Sequence, residues 1–516
     1  MKKNSALKIT GLSAAFLLFF ASCEDNQSLI DTDNNSGISL KKKIEIPVID
    51  FYALANGSII DKFSTANPEV ALNSVFISGL QVDEKILSID FRPATGQLYG
   101  LGSTSRLYVI NPETGIARAI GTGPFSPALS GSIAGFDFNP TVDRIRVVTS
   151  TGQNLRLNPE TGTVAATDGT INGVVGAMIS AVAYTNNVAG AATTTLYDID
   201  MTTQKLYKQL PPNNGTLVLV GDLGLQIVGE GGFDISYQQE VALGIFEVNG
   251  KSTLFSVNLN TGNAVVLAKY MKKLNYTGIA IPTQTVAYAV TAMNNLLIFN
   301  PYNTSLVVTK AITGMSSGET VLGIDFRPLN GQLYALGSTS RLYTINASSG
   351  AATAVGSSIF STTLSGSDFG FDFNPLADRI RIISNTGQNL RVNPATGAVT
   401  IDGILNPSST GISAAAYTNN FAGTVATMLF DIDISNDKLY QQNPPNSGTL
   451  VEIGNLGINA DTATGFDIGG TTGTAFAVLS SGGVTKLYEV NTASGAATAK
   501  GSFTTPVTGF TIGLGF

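Results

Sequence analysis

An all-β repeat fold is predicted by three features of the sequence. Residues 323–350, GIDFRPLNGQLYALGSTSRLYTINASSG, restate residues 88–115, SIDFRPATGQLYGLGSTSRLYVINPETG, with 20 of 28 positions identical at an offset of 235 residues. Looser versions of the phrase recur within each half every 44 to 51 residues. The hydrophobic period is two almost throughout, as in Arg106-Leu107-Tyr108-Val109-Ile110, and no window beyond the N-terminal segment carries a helical period. Repeats of that size, each too small to bury its own faces, are the signature of β-propeller blades. The expected architecture is a β-propeller with ten blade-like repeats in two homologous halves.

The N-terminus reads as a targeting segment rather than part of the fold. Lys2, Lys3 and Lys8 form a basic region, and residues 12–20 form a short apolar one. Phe20-Ala21-Ser22 then precede Cys23, the single cysteine of the chain. Small residues before a lone cysteine resemble the lipobox of bacterial lipoproteins, although Phe20 stands where leucine is usual. That resemblance implies cleavage after a signal peptide at 1–22 and acylation of the Cys23 thiol. The alternative is an ordinary secretory signal with an incidental cysteine. A diacylglycerol plus an N-acyl chain suffices for stable anchoring.

Residues 23–43 are polar, irregular and poor in aromatics, as a flexible tether is. Glu24 and Asp25, directly after the cysteine, resemble the surface-export signals of Bacteroidetes lipoproteins. The expected address is the bacterial outer membrane, facing outward, with its periplasmic face as the alternative. Without Lys2, Lys3 and Lys8 the net charge moves from −7 to −10. An acidic body with no basic tract argues against a nucleic-acid partner.

Taken in order, the repeats open at Ile44-Glu45-Ile46, Ile89-Asp90-Phe91, Phe136-Asp137-Phe138, Val182-Ala183-Tyr184 and Phe233-Asp234-Ile235. The second half opens them at Ile279-Ala280-Ile281, Ile324-Asp325-Phe326, Phe371-Asp372-Phe373, Ala415-Ala416-Tyr417 and Phe466-Asp467-Ile468. This gives one half at 44–281 and a second at 282–516. Asn-Pro-Glu-Thr-Gly at 111–115 and again at 158–162 is turn chemistry: Asn opens the turn, Pro fixes φ and Gly supplies the positive φ. Residues 509–516 resemble an opening strand with no repeat behind it, and compete with 44–46 to close the fold. The short junction at 279–286 favours one ten-bladed ring, with two five-bladed propellers as the alternative.

The phrases GIDFRP, GQLY, GSTSRLY, GFDFNP, DRIR, GQNLR, AYTNN and PPN(N/S)GTL resemble the DUF4394 family of bacterial secreted proteins, in two tandem copies over nearly all of 47–516. The resemblance implies a propeller-like fold and carries no assigned activity, so it implies no catalytic residues.

Candidate chemistry is limited by composition. There is no His, which removes the usual general base and the commonest metal ligand. Asp90, Asp137, Asp234, Asp325, Asp372 and Asp467 could ring a central channel and bind a cation. The structural alternative is that they accept backbone N–H groups or pair with Arg92, Arg146, Arg327 and Arg381. Arg106 and Arg156, with Arg341 and Arg391, could fork a carboxylate or phosphate; their repetition points instead to ion pairs between blades. Asp198 with Asp200, and Asp431 with Asp433, put two carboxylates on one side of a strand, a spacing that can serve an oxygen-ligand Ca²⁺ site. They lack the glycine and terminal glutamate of a calcium loop, and no other cofactor is implied. The polar loops after Tyr184 and Tyr417 could face a glycan.

The expected function is a lipid-anchored, non-enzymatic binding scaffold for an extracellular protein or glycan. The alternative is a carboxylate- or metal-dependent hydrolase of extracellular polymer, which needs only two acids at a suitable separation.

Overall fold

The computed structural model describes residues 46–238, 241–271, 274–407 and 411–516. They form ten four-stranded antiparallel sheets, with no α-helix among the described residues. Sheet 1 consists of Tyr276–Ala280, Asp50–Ala55, Ile59–Ser64 and Asn73–Phe76, in that spatial order. Sheets 2 to 5 take four successive strands each and begin at Ile86–Phe91, Ala134–Asn139, Ile179–Tyr184 and Ile227–Ile235. Sheet 6 is Val507–Ile512, Ala287–Thr291, Asn295–Asn300 and Asn303–Ala311. Sheets 7 to 10 begin at Val321–Arg327, Phe369–Asn374, Ile412–Tyr417 and Thr462–Ile468.

Burial follows strand position. Ile179–Tyr184, a first strand, is buried at every residue, whereas the last strands Asn73–Phe76 and Val164–Thr167 alternate between half-buried and exposed. First strands therefore read as short apolar or glycine-containing runs, and last strands as period-two sequences. The turns between them behave as their chemistry requires. Asn111 Oδ1 accepts the N–H groups of Glu113 and Thr114, and Gly115 closes the turn at φ +73°.

The first strands pack on one another in the order of sheets 1, 2, 3, 4, 5 and back to 1. The second half does the same through sheets 6, 7, 8, 9, 10 and back to 6. The apolar core obeys this order. Among the described residues its ten clusters each lie mainly between two neighbouring sheets, and the one between sheets 6 and 7 also takes in Ala94 of the first half. Phe51, Phe63, Leu243 and Ile245 fill the space between sheets 5 and 1, and Ala289, Phe299, Phe476 and Phe510 fill that between sheets 10 and 6.

The approach is close enough to select glycine. A Cβ on Gly232 would lie 2.3 Å from the Ile279 nitrogen, and one on Gly465 would lie 2.6 Å from that of Phe510.

This corrects the expectation of one closed series of ten. Such a series needs a core between sheets 5 and 6 and another between 10 and 1, and the clusters instead close each half on itself. Ile279-Ala280-Ile281 accordingly ends the first half rather than opening a sixth repeat, since Tyr276–Ala280 pairs with Asp50–Ala55. Val507–Ile512 pairs with Ala287–Thr291 in the same way. In both halves the last strand of the half supplies the first strand of the sheet; of the competing segment 44–46, residues 44 and 45 lie outside the described residues.

The junction is short because the halves abut. Residues 281–286, an extended reach of roughly 20 Å, lead from sheet 1 to the second strand of sheet 6. There Tyr288 Oη donates to the Ala94 carbonyl at 2.9 Å, Arg92 Nη1 to that of Gly331 at 3.0 Å, and Gly515 N to that of Thr95 at 2.8 Å.

Separate closure has a measurable consequence. Phe510→Ala is expected to cost about 3–5 kcal/mol, with amide hydrogen exchange rising through sheets 6 to 10 and little changed in sheets 1 to 5. Equal loss of protection in both halves would contradict it.

Candidate functional site

The period of two sets the direction of the acids on the first strands. Ile89 and Phe91 turn into the cluster between sheets 1 and 2, so Asp90 between them faces the other way, toward sheet 3. Asp90 accepts N–H groups from Phe91 at 2.7 Å and from Phe138 at 2.8 Å. Asp137 accepts from Tyr184 at 3.0 Å, and Asp234 from Ile235 at 2.6 Å and Ile281 at 2.5 Å. Asp325, Asp372 and Asp467 repeat the pattern on Phe373, Tyr417 and Ile512. Each of these carboxylates thus ties one first strand to the backbone of the next. Of the two partners anticipated from sequence, the backbone is the one found; the arginines pair elsewhere.

The acids also meet one another. Asp90, Asp137 and Asp234 offer carboxylate oxygens that all lie within 4.8 Å of each other, as do Asp325, Asp372 and Asp467. All six residues are 1% exposed. Two like charges at that distance repel by about 3–4 kcal/mol at an effective dielectric constant near 20, and each triad has three such pairs. Burial first, and then mutual repulsion, pushes Asp90, Asp137, Asp325 and Asp372 well above the usual carboxylate range. Burial outweighs the backbone donors at the other two, raising Asp234 to about 7 and Asp467 to about 6.

The triads differ in one residue. Ile281 and Ile512 play the same part in the two halves, so Thr511 matches Ala280. Thr511 Oγ1 stands 2.9 Å from Asp325 Oδ1 and 2.7 Å from Asp467 Oδ2.

Two arginine hubs lie farther out. Arg146, 2% exposed, donates to Asn154 Oδ1 at 2.7 Å, Asp168 Oδ2 at 2.6 Å, Asn213 Oδ1 at 2.7 Å and Tyr184 Oη at 3.3 Å. Arg381 meets Asn389, Asp402, Asn446 and Tyr417 in the same way. The phrases DRIR, GQNL, AYTNN and PPN, distant in sequence, therefore converge on one guanidinium in each half.

A family model described as a domain of unknown function, DUF4394, matches residues 60–280 and 295–511. The chain belongs to the DUF4394 family. No curated protein sequence matches it. Among solved structures, the chain is similar to the extracellular domain of a hybrid two-component system from B. thetaiotaomicron. The likeness has 11% identity and a TM-score of 0.24, covering 87% of this chain and 65% of that one.

The remaining candidates of this DUF4394 chain fall into place around the hubs. Arg156 and Arg391 each make a two-pronged pair with the hub acid, Asp168 or Asp402, within the first to last strands of one sheet rather than between sheets. Arg106 donates to Thr104 and Arg341 to the Ser357 carbonyl. Arg327 forms an ion pair with Asp378, whereas its counterpart Arg92 is wholly buried between Asp143 and Glu160. Glu84 and Glu319, which sequence reasoning passed over, accept from Tyr108 and Tyr343 of the GSTSRLY phrases. Their signal was present: an acid precedes each such phrase by the same distance.

Asp200 is engaged by turn donors, the N–H groups of Met178 and Thr202 and the Thr203 hydroxyl. Asp433 accepts from Ser435 and Asn436. Asp198 and Asp431 are wholly buried and accept no hydrogen bond among the described residues. Burial raises both, against the pull of Arg146 and Arg381 respectively. The acids that gather in threes are the first-strand triads, not these pairs. Asn187 and Asn420 of the AYTNN phrases are buried, not displayed, and Asn420 Nδ2 reaches Asp467 Oδ1 at 3.4 Å. Cys23 lies outside the described residues.

Arg146→Met is expected to cost about 3–5 kcal/mol, because it leaves Asp168 and two amides without their buried partner. Arg156→Met, at the solvent edge of the same cluster, is expected to cost less than about 1 kcal/mol; comparable losses in urea midpoint would refute the hub assignment. Burial pushes the Asp168 and Asp402 carboxyls up, but hydrogen bonds from the two arginines beside each outweigh it and hold them low. Their stabilisation is complete above the unfolded value of about 3.9 and is lost as pH falls through the lower folded value. The gap in thermal midpoint between the native chain and an Asp168→Asn/Asp402→Asn variant should therefore be widest near neutrality and narrow below about pH 4.

Proposed function

We propose that each five-sheet series is a five-bladed propeller, and that the paired propellers form a non-enzymatic binding scaffold. The scaffold is held at the bacterial outer membrane by acyl chains on Cys23, facing outward, and takes a neutral extracellular glycan. One observation carries this reading: the two halves differ where they would otherwise match. Sheet 6 ends in the nine-residue strand Asn303–Ala311, while sheet 1 ends in the four-residue Asn73–Phe76.

The long strand walls a cleft of about 540 Å³ between sheets 6 and 10. Thr304, Ser305, Thr309 and Thr505 line it with hydroxyls, Asn295 adds an amide and Phe503 an aromatic ring. Its size suits a small ligand. A lining with hydroxyls, an amide and one ring, and with no charged side chain, suits an uncharged saccharide better than an ionic peptide. The alternative, a hydrolase acting through paired acids, finds no support in the triads, because acids 1% exposed cannot meet a polymer.

Full-length protein in detergent, screened on an array of neutral glycans, is expected to retain a subset. Thr304→Arg, which fills the cleft, should abolish that retention; binding to no glycan, or binding unchanged in the variant, would sink the reading. Separately, Cys23→Ser is expected to prevent palmitate labelling and move the protein from the membrane to the soluble fraction.

A further inference from the structure

The two buried triads remain unused by a binding scaffold. Each gathers three like-charged acids in a buried place, yet Arg92, Arg146, Arg327 and Arg381, the arginines nearest to them in sequence, are committed to other acids. The geometry points to a structural calcium ion in each half, held by Asp90, Asp137 and Asp234 in the first and by Asp325, Asp372 and Asp467 in the second.

Three features beyond acidity carry this assignment. One oxygen in each triad is unengaged: Asp137 Oδ2 and Asp372 Oδ2 are buried with no hydrogen-bond partner among the described residues, while the opposite oxygen of each holds a tyrosine N–H. Such an oxygen is costly to bury unless something binds it, and both halves bury one. The second feature is span. In each triad the three oxygens lie within 4.8 Å of one another, close enough for a single cation to be shared by all three acids. Magnesium sheds its waters reluctantly and is usually held by one or two carboxylates, so a buried site of three acids suits calcium better.

The third is the Thr511 hydroxyl. It has one hydrogen, so it can donate to Asp325 or Asp467 but not to both. A shared cation accounts for the other close oxygen pair, with Thr511 as a fourth oxygen in the sphere. All these donors are hard oxygens, which select calcium or magnesium over the softer transition metals. The first half has Ala280 in the place of Thr511, so its site is the weaker.

The test is metal analysis of the full-length chain, purified in detergent without chelator. Two calcium ions per chain are expected, falling to one in Asp137→Asn or in Asp372→Asn and to none in the double variant. These substitutions keep the oxygen that accepts the tyrosine N–H, and so spare the strand contact. Thr511→Ala, which leaves all six acids in place, should weaken the tighter of two calcium-binding steps by about tenfold. It should leave the other step unchanged when calcium is titrated into protein refolded from EGTA. EGTA should lower the thermal midpoint of the native chain and leave that of the double variant unmoved. A native chain with no stoichiometric calcium, and a midpoint indifferent to EGTA and to added calcium, would overturn the assignment. It would leave protons as the neutralising charge.

Discussion

A buried carboxylate that accepts the backbone N–H of the neighbouring sheet is the interaction on which the rest of this structure depends. Side-chain packing between sheets is apolar and tolerant of small slips, whereas a hydrogen bond from Asp90 to Phe138, or from Asp234 to Ile281, fixes the register of one first strand against the next. The fixed register brings glycine opposite backbone, places the phenylalanines in the clusters on either side and aims three acids at one point. The meeting of three acids in each half is thus a by-product of how its strands are fastened. The acids are repeated because the fastening is repeated.

The arginine hubs fasten the periphery by the same logic and with the opposite charge. Arg146 and Arg381 gather loops from adjacent sheets, and their partners are amides and a tyrosine as well as a carboxylate. Planar five-donor geometry explains why lysine does not stand there. Arg92 goes further than its counterpart Arg327. With Glu160 as a second acid, in a place where the second half has Ala395, it is sealed at the junction and reaches the Gly331 carbonyl of the other half. The halves are copies in strand plan and differ where they touch.

Much of this was legible in the sequence. Period-two alternation, Asn-to-Gly turns and the 235-residue offset gave ten repeats and two halves, because these are local properties of strands and turns. Closure was not legible. Whether Tyr276–Ala280 pairs backward with Asp50–Ala55 or forward with the second half is decided by a long-range contact, and both choices are compatible with the same strand text. The partners of the acids were equally hidden. Asp90 and Arg92 lie two residues apart, which makes an ion pair the natural guess, yet Arg92 leaves the strand end to meet Asp143 and Glu160. Asp198 and Asp200 share a strand face as read, but Asp200 is drawn into a turn and Asp198 is left in the core.

Closure by the last strand of each half also sets an order of events at the ribosome. The first half can shut once Ala280 has been made; the second must wait for Ile512. At about 5–20 residues per second that interval is roughly ten to fifty seconds. Through it, the apolar flanks of sheets 6 and 10 have no partner strand between them. A chain of this design gains from being kept from folding until its last strand is complete, because its second half has no closed intermediate in which to pause.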